Sequence, residues 1–365
     1  MKRILGVVPG SLVSGAESVL LRDMVSARDA GWEVRIACSD GPFVDRLHQL
    51  GIERIAIPDL RLGEGRRAMS FGIAFANALR SARVLRKHLH PGEVILANSI
   101  NVLPATALVA RRHRVVYFGH DVLIRGDRLA LLKLVRRSVH LAVAVSEAVA
   151  RTIRSTGIPT EVVYNGTEWP VRAADVTDRV EPPTIGIAAV ITPWKGHAVL
   201  LEAFAKLPHR SARLEIMGGV APKDEDYARS LRARCASPEL NGRVDFLGHV
   251  DKPLERMRTW TIAVLPSIDP EAGPLTALEA MSVGVPVVGT GHGGMAEVMG
   301  DAGLLVAPND VDALARAVEF LLDDANLRER CCTAGPRQIV EQQLTLADHE
   351  RQMLALLDRV VTIAP

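Results

Sequence analysis

LPSIDPEAGPLTALEAMSVGVPVVGTGHGGMAEVM, Leu265 to Met299, is the stretch on which the fold turns. It reads as a strand end, a loop, a helix, a second strand and a glycine-rich turn. Glu271 and Glu279 stand on either side of Gly273-Pro274-Leu275. Proline suits a first helical position, where its missing N–H would have no partner. That places Gly273 as the N-cap and leaves the amides of Leu275 and Thr276 pointing outward. Free N–H groups and the helix dipole together make such an end attractive to phosphate. Glu279 lies one turn beyond Leu275 on the same face, about 6 Å deeper. A carboxylate there suits two hydroxyls of a ribose, and Glu271, before the helix, faces what lies beyond the phosphate.

The chain around this stretch has 365 residues, enough for two ordinary domains. It is 48% hydrophobic with a mean hydropathy of +0.14, and aromatics make up only 4%, so aliphatic cores are expected. No apolar run reaches the ~18 residues of a membrane span. The basic, then apolar start MKRILGVVPGSL is broken by Pro9-Gly10 and reads better as a first buried strand than as a leader. Cys38, Cys235, Cys331 and Cys332 lack zinc-ligand spacing, which points to a reduced, cytoplasmic setting. The net charge of +2 conceals an asymmetry. Residues 1–180 carry a surplus of about nine positive charges and the remainder about seven negative. The basic half suits an anionic acceptor or membrane surface. Without interleaved aromatics it does not suggest nucleic acid.

Taken in order, the first half alternates strand and helix. Strands are expected at 4–8, 33–38, 53–57, 93–98, 115–119 and 141–145, with helices at 16–30, 69–88, 101–112, 127–138 and 146–156. Such alternation predicts a parallel sheet covered on both faces, with ligands outside the carboxyl ends of its strands. Those ends are Pro9–Gly15, Asn98-Ser99, His120-Asp121 and Ser146-Glu147. A polar, proline-bearing boundary follows at 166–183. A second alternation has strands at 184–190, 213–217, 244–248, 262–266, 285–289 and 304–307. Its helices begin at His197 and at 225–236, 253–259 and Leu275, and helices at 311–323, 326–341 and 346–361 close the chain. The expected domains are 1–170 and 183–342, with 343–365 packing back toward the first.

A bare pair of glutamates at this spacing is usually solvated. Here it has context: Pro266-Ser267 after a strand, Gly273-Pro274-Leu275 between the acids, then Leu278-Glu279-Ala280-Met281 and Gly284-Val285-Pro286-Val287-Val288. In this order the motifs resemble the retaining glycosyltransferases of family 4, and the resemblance runs over nearly the whole chain. It implies an α/β protein of the GT-B fold, two doubly wound Rossmann-like domains facing across a cleft. The second would bind a nucleoside-diphosphate sugar, a UDP- or GDP-sugar, and the first an acceptor glycan, lipid-linked sugar or small molecule. No cofactor or metal is implied.

The resemblance also assigns roles. Lys195, in Trp194-Lys195-Gly196, contacts the donor diphosphate; on its own this tripeptide reads as a helix-start turn. The family pairs that lysine with an arginine a few residues earlier, where this chain has Ala189-Val190-Ile191. Gly15, in Ser14-Gly15-Ala16-Glu17, matches a glycine-rich loop, although Ser14 and Glu17 equally spell a capping box. His120 stands at a strand end and lines the site beside the donor sugar. Gly218, Gly248 and Val250 frame the nucleotide base. Asn165-Gly166 reads as a turn. Glu271, Lys195 and His120 are therefore the candidate catalytic residues, and Glu279, Gly273, Leu275, Thr276, Gly15, Gly218, Gly248 and Val250 the candidate binding residues.

Three other features compete for attention. Gly289-Thr290-Gly291-His292-Gly293-Gly294 is a formal G-x-G-x-x-G. The segment Met295 to Gly300 after it is read as too short for a crossover helix, so the glycines are taken as a tight loop near the donor. Asp224-Glu225-Asp226 looks like a metal triplet and is read as solvated. The basic helix 125–137 is either half-buried with a solvated face or a docking surface for an anionic membrane or acceptor. The rival functions are another nucleotide-sugar enzyme of the same fold (an epimerase, hydrolase or phosphorylase) and a non-catalytic nucleotide-sugar-binding protein.

Overall fold

The computed structural model describes residues 2–11, 14–61, 67–169 and 181–362. Part of the Pro9–Gly15 loop and most of the expected 166–183 boundary lie outside them. The chain divides into two compact units, Met1–Tyr164 with His349–Pro365, and Asn165–Asp348.

The first unit is built on strands β1 (Arg3–Val7), β2 (Glu33–Cys38), β3 (Glu53–Ala56), β4 (Val94–Ala97), β5 (Arg114–Gly119), β6 (Leu141–Ala144) and β7 (Thr160–Val162). Among the described residues they form one sheet in the order β3-β2-β1-β4-β5-β6-β7, with every pair parallel. The central strands are apolar on both faces because helices cover both; β4, VILA, is buried throughout. The order reverses between β1 and β4, so the crevice at their carboxyl ends is where this fold holds ligands.

The second unit repeats the plan. Strands β8 (Thr184–Ala188), β9 (Arg213–Met217), β10 (Val244–Gly248), β11 (Ile262–Leu265), β12 (Val287–Thr290) and β13 (Gly303–Val306) are ordered β10-β9-β8-β11-β12-β13. Again all pairs are parallel. Ile185, Ile187, Leu214, Ile216, Val264 and Val288 from the sheet pack with Leu200, Phe204, Leu314 and Leu321 from the helices. Trp260 lies flat against Gly186, where a Cβ would come within 2.0 Å of its ring. Its indole N–H donates to the buried Glu215 at 2.8 Å, so the strand residue Glu215 is a satisfied core acid. Here the order reverses between β8 and β11. The segments leaving these two strands contain Lys195 and Glu271.

Several expectations need correction. A helix at Pro42–Leu50 joins β2 to β3, opened by Gly41 with Pro42 behind it and closed by Gly51 at φ 64°. The short edge strand β7 was not expected. The helix expected at 101–112 is one at Leu103–Ala107 between two 3₁₀ turns, and that at 127–138 runs Gly126–Val135 before a 3₁₀ turn. The helix of the opening stretch spans Leu275–Ser282, and its N-cap is Pro274 rather than Gly273. Pro274 has ψ 83°, outside the helix, and its carbonyl accepts the first helical bonds from Ala277 and Leu278. Finally, the segment after β12 does hold a helix, Met295–Met299. Residues 291–302 meet the about 10–12 residues that a parallel crossover needs, so shortness was no obstacle.

Candidate functional site

The expected site residues fall into two groups, one in each unit. In the second unit, Lys195 and Glu271 meet. Lys195 Nζ donates to Glu271 Oε1 at 2.6 Å, with the two side chains 20% and 9% exposed. Lys195 follows β8 in a 3₁₀ turn closed by Gly196 at φ 74°. Only glycine fits there, since a Cβ would come within 2.0 Å of the Pro266 carbonyl. That close approach brings the Lys195 turn against the segment leaving β11, and Ile268 N–H donates to the Trp194 carbonyl at 2.7 Å.

Glu271 is fixed from a second side. Ser267 Oγ donates to Glu271 Oε1 at 2.5 Å, and Thr290 Oγ1 donates to the Ser267 carbonyl at 2.9 Å. The Glu271 carbonyl accepts from Gly294 N–H at 2.6 Å. Gly293, at φ 64°, lets the glycine-rich turn pass Glu271, because a Cβ would come within 2.1 Å of that carbonyl. His292 Nε2 is bonded to the Ile268 carbonyl at 3.0 Å. The glycines after β12 are thus a strap that holds the loop of Glu271.

The helix behind Glu271 is anchored by Thr276 Oγ1 donating to the Ala188 carbonyl at 3.0 Å, and Asn165 Nδ2 donates to the Gly273 carbonyl at 3.0 Å. The backbone N–H groups of Leu275 and Thr276 precede the first helical bond, which Ala277 makes. Glu279, half-buried, lies on this helix one turn on. Gly218 N–H donates to the Gly248 carbonyl at 2.7 Å, which joins the ends of β9 and β10. Gly218 packs on the Ala189 carbonyl too closely for any Cβ, and Val250 is half-buried beyond it. Val190 is 47% exposed on the same segment. The acids 224–226 stand apart from this group: Asp224 precedes the helix Glu225–Arg234, and Asp226 pairs with Arg229.

In the first unit, Gly15 opens the helix Gly15–Asp29 behind the N-cap Ser14. The Glu17 carboxylate accepts from Ser14 N–H at 3.1 Å, as the capping-box reading required. His120 follows β5 and is half-buried. Its Nε2 meets Asn98 Oδ1, at the end of β4, at 2.9 Å. The ring is tilted against Phe118 at 4.1 Å between centroids. Burial, with a smaller contribution from the charge of His349, pushes the His120 pKa down to about 3. His120 is therefore neutral at physiological pH. It donates Nε2–H to Asn98 and keeps Nδ1 as an acceptor.

Sequence reasoning gave Ser267, Trp194 and Thr290 no functional role, and it marked Asn98 only as part of a ligand-facing strand end, without its contact to His120. Ser267 and Trp194 lie inside quoted motifs, but nothing in their spacing shows which side chain they support. The buried contact of His349 with Asp23 had no signal at all.

Two family descriptions account for most of the chain. Residues 13–168 match Glycosyltransferase Family 4, and residues 173–338 match Glycosyl transferases group 1. The chain belongs to this family of nucleotide-sugar-dependent glycosyltransferases and has its GT-B fold. It is 28% identical over 338 residues to a phosphatidyl-myo-inositol mannosyltransferase of Mycolicibacterium smegmatis, covering 88% of this chain and 83% of that one. It is 38% identical over 149 residues to an exopolysaccharide phosphotransferase of Streptomyces coelicolor, a match that covers 40% of this chain and 15% of that protein's length. Among solved structures, Anabaena HepE in complex with UDP and glucose superposes with a TM-score of 0.84 at 22% identity, over 98% of this chain and 100% of that one.

Proposed function

We propose that the protein transfers a sugar, with retention, from a nucleoside-diphosphate sugar to a hydroxyl of a glycan, lipid-linked sugar or small molecule. The observation that carries this reading is the Lys195–Glu271 pair, held beside the start of the helix Leu275–Ser282 where the sheet order reverses. A cation and two outward amides suit a leaving diphosphate, and a buried carboxylate next to them suits the sugar. In this reading the acceptor hydroxyl attacks on the face that the diphosphate leaves, and a phosphate oxygen takes its proton. The protein supplies position and electrostatics: Lys195 with the amides of Leu275 and Thr276 on the diphosphate, Glu279 on the ribose, Glu271 on the sugar. No metal step is invoked. The donor is a UDP- or GDP-sugar; a UDP complex of the superposed Anabaena structure favours testing UDP first.

The test is a titration of UDP- and GDP-sugars followed by thermal stability, since a ligand of the folded state raises the midpoint with its concentration. Replacing Glu279 with alanine removes the ribose contacts and is expected to weaken donor affinity about tenfold, the worth of about 1.4 kcal/mol. Unchanged donor affinity in that variant would remove Glu279 from the site.

The first unit's surface supports an acceptor at a membrane. No helix among the described residues is long and apolar enough to cross a bilayer. On and after the helix Gly126–Val135, Lys133, Arg136 and Arg137 are exposed around Leu134, which is itself 81% exposed. Each such cation near an anionic leaflet contributes about 1 kcal/mol. Sedimentation with phosphatidylglycerol vesicles, and not with phosphatidylcholine, is expected, and Arg136→Glu with Arg137→Glu is expected to abolish it. Equal sedimentation of the wild type and that variant would reject the contact.

A further inference from the structure

Trp194 is 37% exposed, an unusual setting for the largest apolar side chain. Its structural duty is met by its backbone: the carbonyl accepts from Ile268 N–H, a bond that any residue supplies. The ring instead faces a charge. Lys195 Nζ lies 4.0 Å from the centroid of the Trp194 ring while donating to Glu271 Oε1 at 2.6 Å. A lysine ammonium has three N–H donors on a long flexible stem. Here Glu271 takes one direction and the indole face another, which leaves a third for an anion. The neighbouring residue that the family resemblance would make an arginine is Val190, 47% exposed and without charge.

We infer that Trp194 is a positioning residue for the reaction. Its ring, with Glu271, fixes the Lys195 ammonium so that the remaining donor is aimed at the donor diphosphate, where this chain has Val190 in place of a second cation. The inference rests on the donor-site reading above. The physical basis is the attraction of a cation to the negative face of an aromatic ring, strongest for tryptophan and greater at a partly desolvated site. An unrestrained lysine would lose rotamer freedom on meeting the diphosphate, and the ring meets that cost before the donor arrives.

The experiment uses the full-length chain and titrates UDP and GDP by calorimetry, with the thermal midpoint of each variant as a control for folding. Trp194→Leu keeps an apolar side chain and removes the ring face. It is expected to weaken binding of the nucleotide about three- to tenfold, from the range of cation–π energies, with the midpoint unchanged. Trp194→Phe restores a ring and is expected to recover binding to within about twofold. Because the effect runs through the lysine, adding Trp194→Leu to Lys195→Met is expected to cost nothing further, a non-additivity that a merely structural tryptophan would not show. Equal binding by the leucine and phenylalanine variants overturns the inference, as does a full loss from Trp194→Leu in the Lys195→Met background. A wild type that binds neither nucleotide overturns the donor-site reading and the inference with it. A wild type that binds, beside a silent Trp194→Leu, overturns the inference alone.

Discussion

Glu271→Gln is expected to lower kcat by about 10²- to 10³-fold, the usual loss when one preorganised electrostatic contact to a transition state is removed. Glutamine keeps the shape and still accepts from Ser267, so the loop from Pro266 to Glu271 keeps its place. What disappears is the negative charge beside Lys195, and with it the carboxylate proposed to face the sugar. The effect on nucleotide binding has the opposite sign. Lys195 is only 20% exposed and bonded to Glu271. The glutamine oxygen still accepts from Lys195 Nζ and keeps its aim, while the ammonium is no longer neutralised, so UDP affinity is expected to hold or to tighten. Steady-state turnover of a UDP- or GDP-sugar together with a UDP titration separates the two effects. Undiminished turnover in Glu271→Gln would remove the pair from the chemistry.

The second large effect is on stability and lies in the first unit. His349 is 2% exposed and Asp23 3%. His349 Nε2 meets Asp23 Oδ1 at 2.9 Å, and its Nδ1 meets the Tyr164 carbonyl at 2.7 Å. A carbonyl and a carboxylate both accept, so each ring nitrogen carries a proton and the imidazole is a cation. Burial alone lowers the His349 pKa, but the charge and hydrogen bond of Asp23, with the Tyr164 carbonyl, outweigh it and leave the pKa raised. The pair joins the helix Gly15–Asp29 to the closing helix Leu346–Thr362, which returns to this unit at His349. His349→Ala leaves Asp23 as a buried, unpaired charge and is expected to cost about 3–5 kcal/mol. For a unit of this size that is a fall in midpoint on the order of 6–20 °C.

The pH dependence follows from the same shift. A raised pKa means that the folded state holds its proton where the unfolded state has released it. The contribution is complete below the ordinary histidine range near 6.5 and is lost as pH rises through the folded value. The wild-type midpoint is expected to decline across that alkaline window. Asp23→Asn removes the carboxylate charge that raises the pKa, so its midpoint is expected to start lower and to vary less with pH there. Thermal melts from pH 6 to 9 of both proteins check this, and parallel curves would contradict it.

How much was legible in the sequence depends on the range over which each signal acts. Buried strands were, because continuous runs such as EVILAN and LAVAV cannot lie on a solvated surface. Strand–helix alternation then fixed parallel sheets. The helix Pro42–Leu50 was missed because it is short and buries only Phe43 and Leu47 fully. Strand β7, three residues with none fully buried, has no apolar pattern to see. The N-cap fell one residue late because proline tolerates both N1 and the position before it. Its ψ depends on the Asn165 and Thr276 contacts that hold the turn.

Of the opening stretch, the sequence by itself determined the strand, the helix to within a residue of its start, the two glutamates and, through the order of its motifs, the family. It did not determine what Glu271 touches. Lys195 is 76 positions away and becomes its partner only because β8 and β11 are neighbours where the sheet order reverses. Gly196 and Gly293 then let two turns close on the loop, and Ser267 turns its hydroxyl onto the carboxylate. Chain periodicity reports burial over a few residues. An ion pair, a ring beneath an ammonium and a buried histidine cation depend on which strand ends the crossovers bring together, and that was decided only by the tertiary structure.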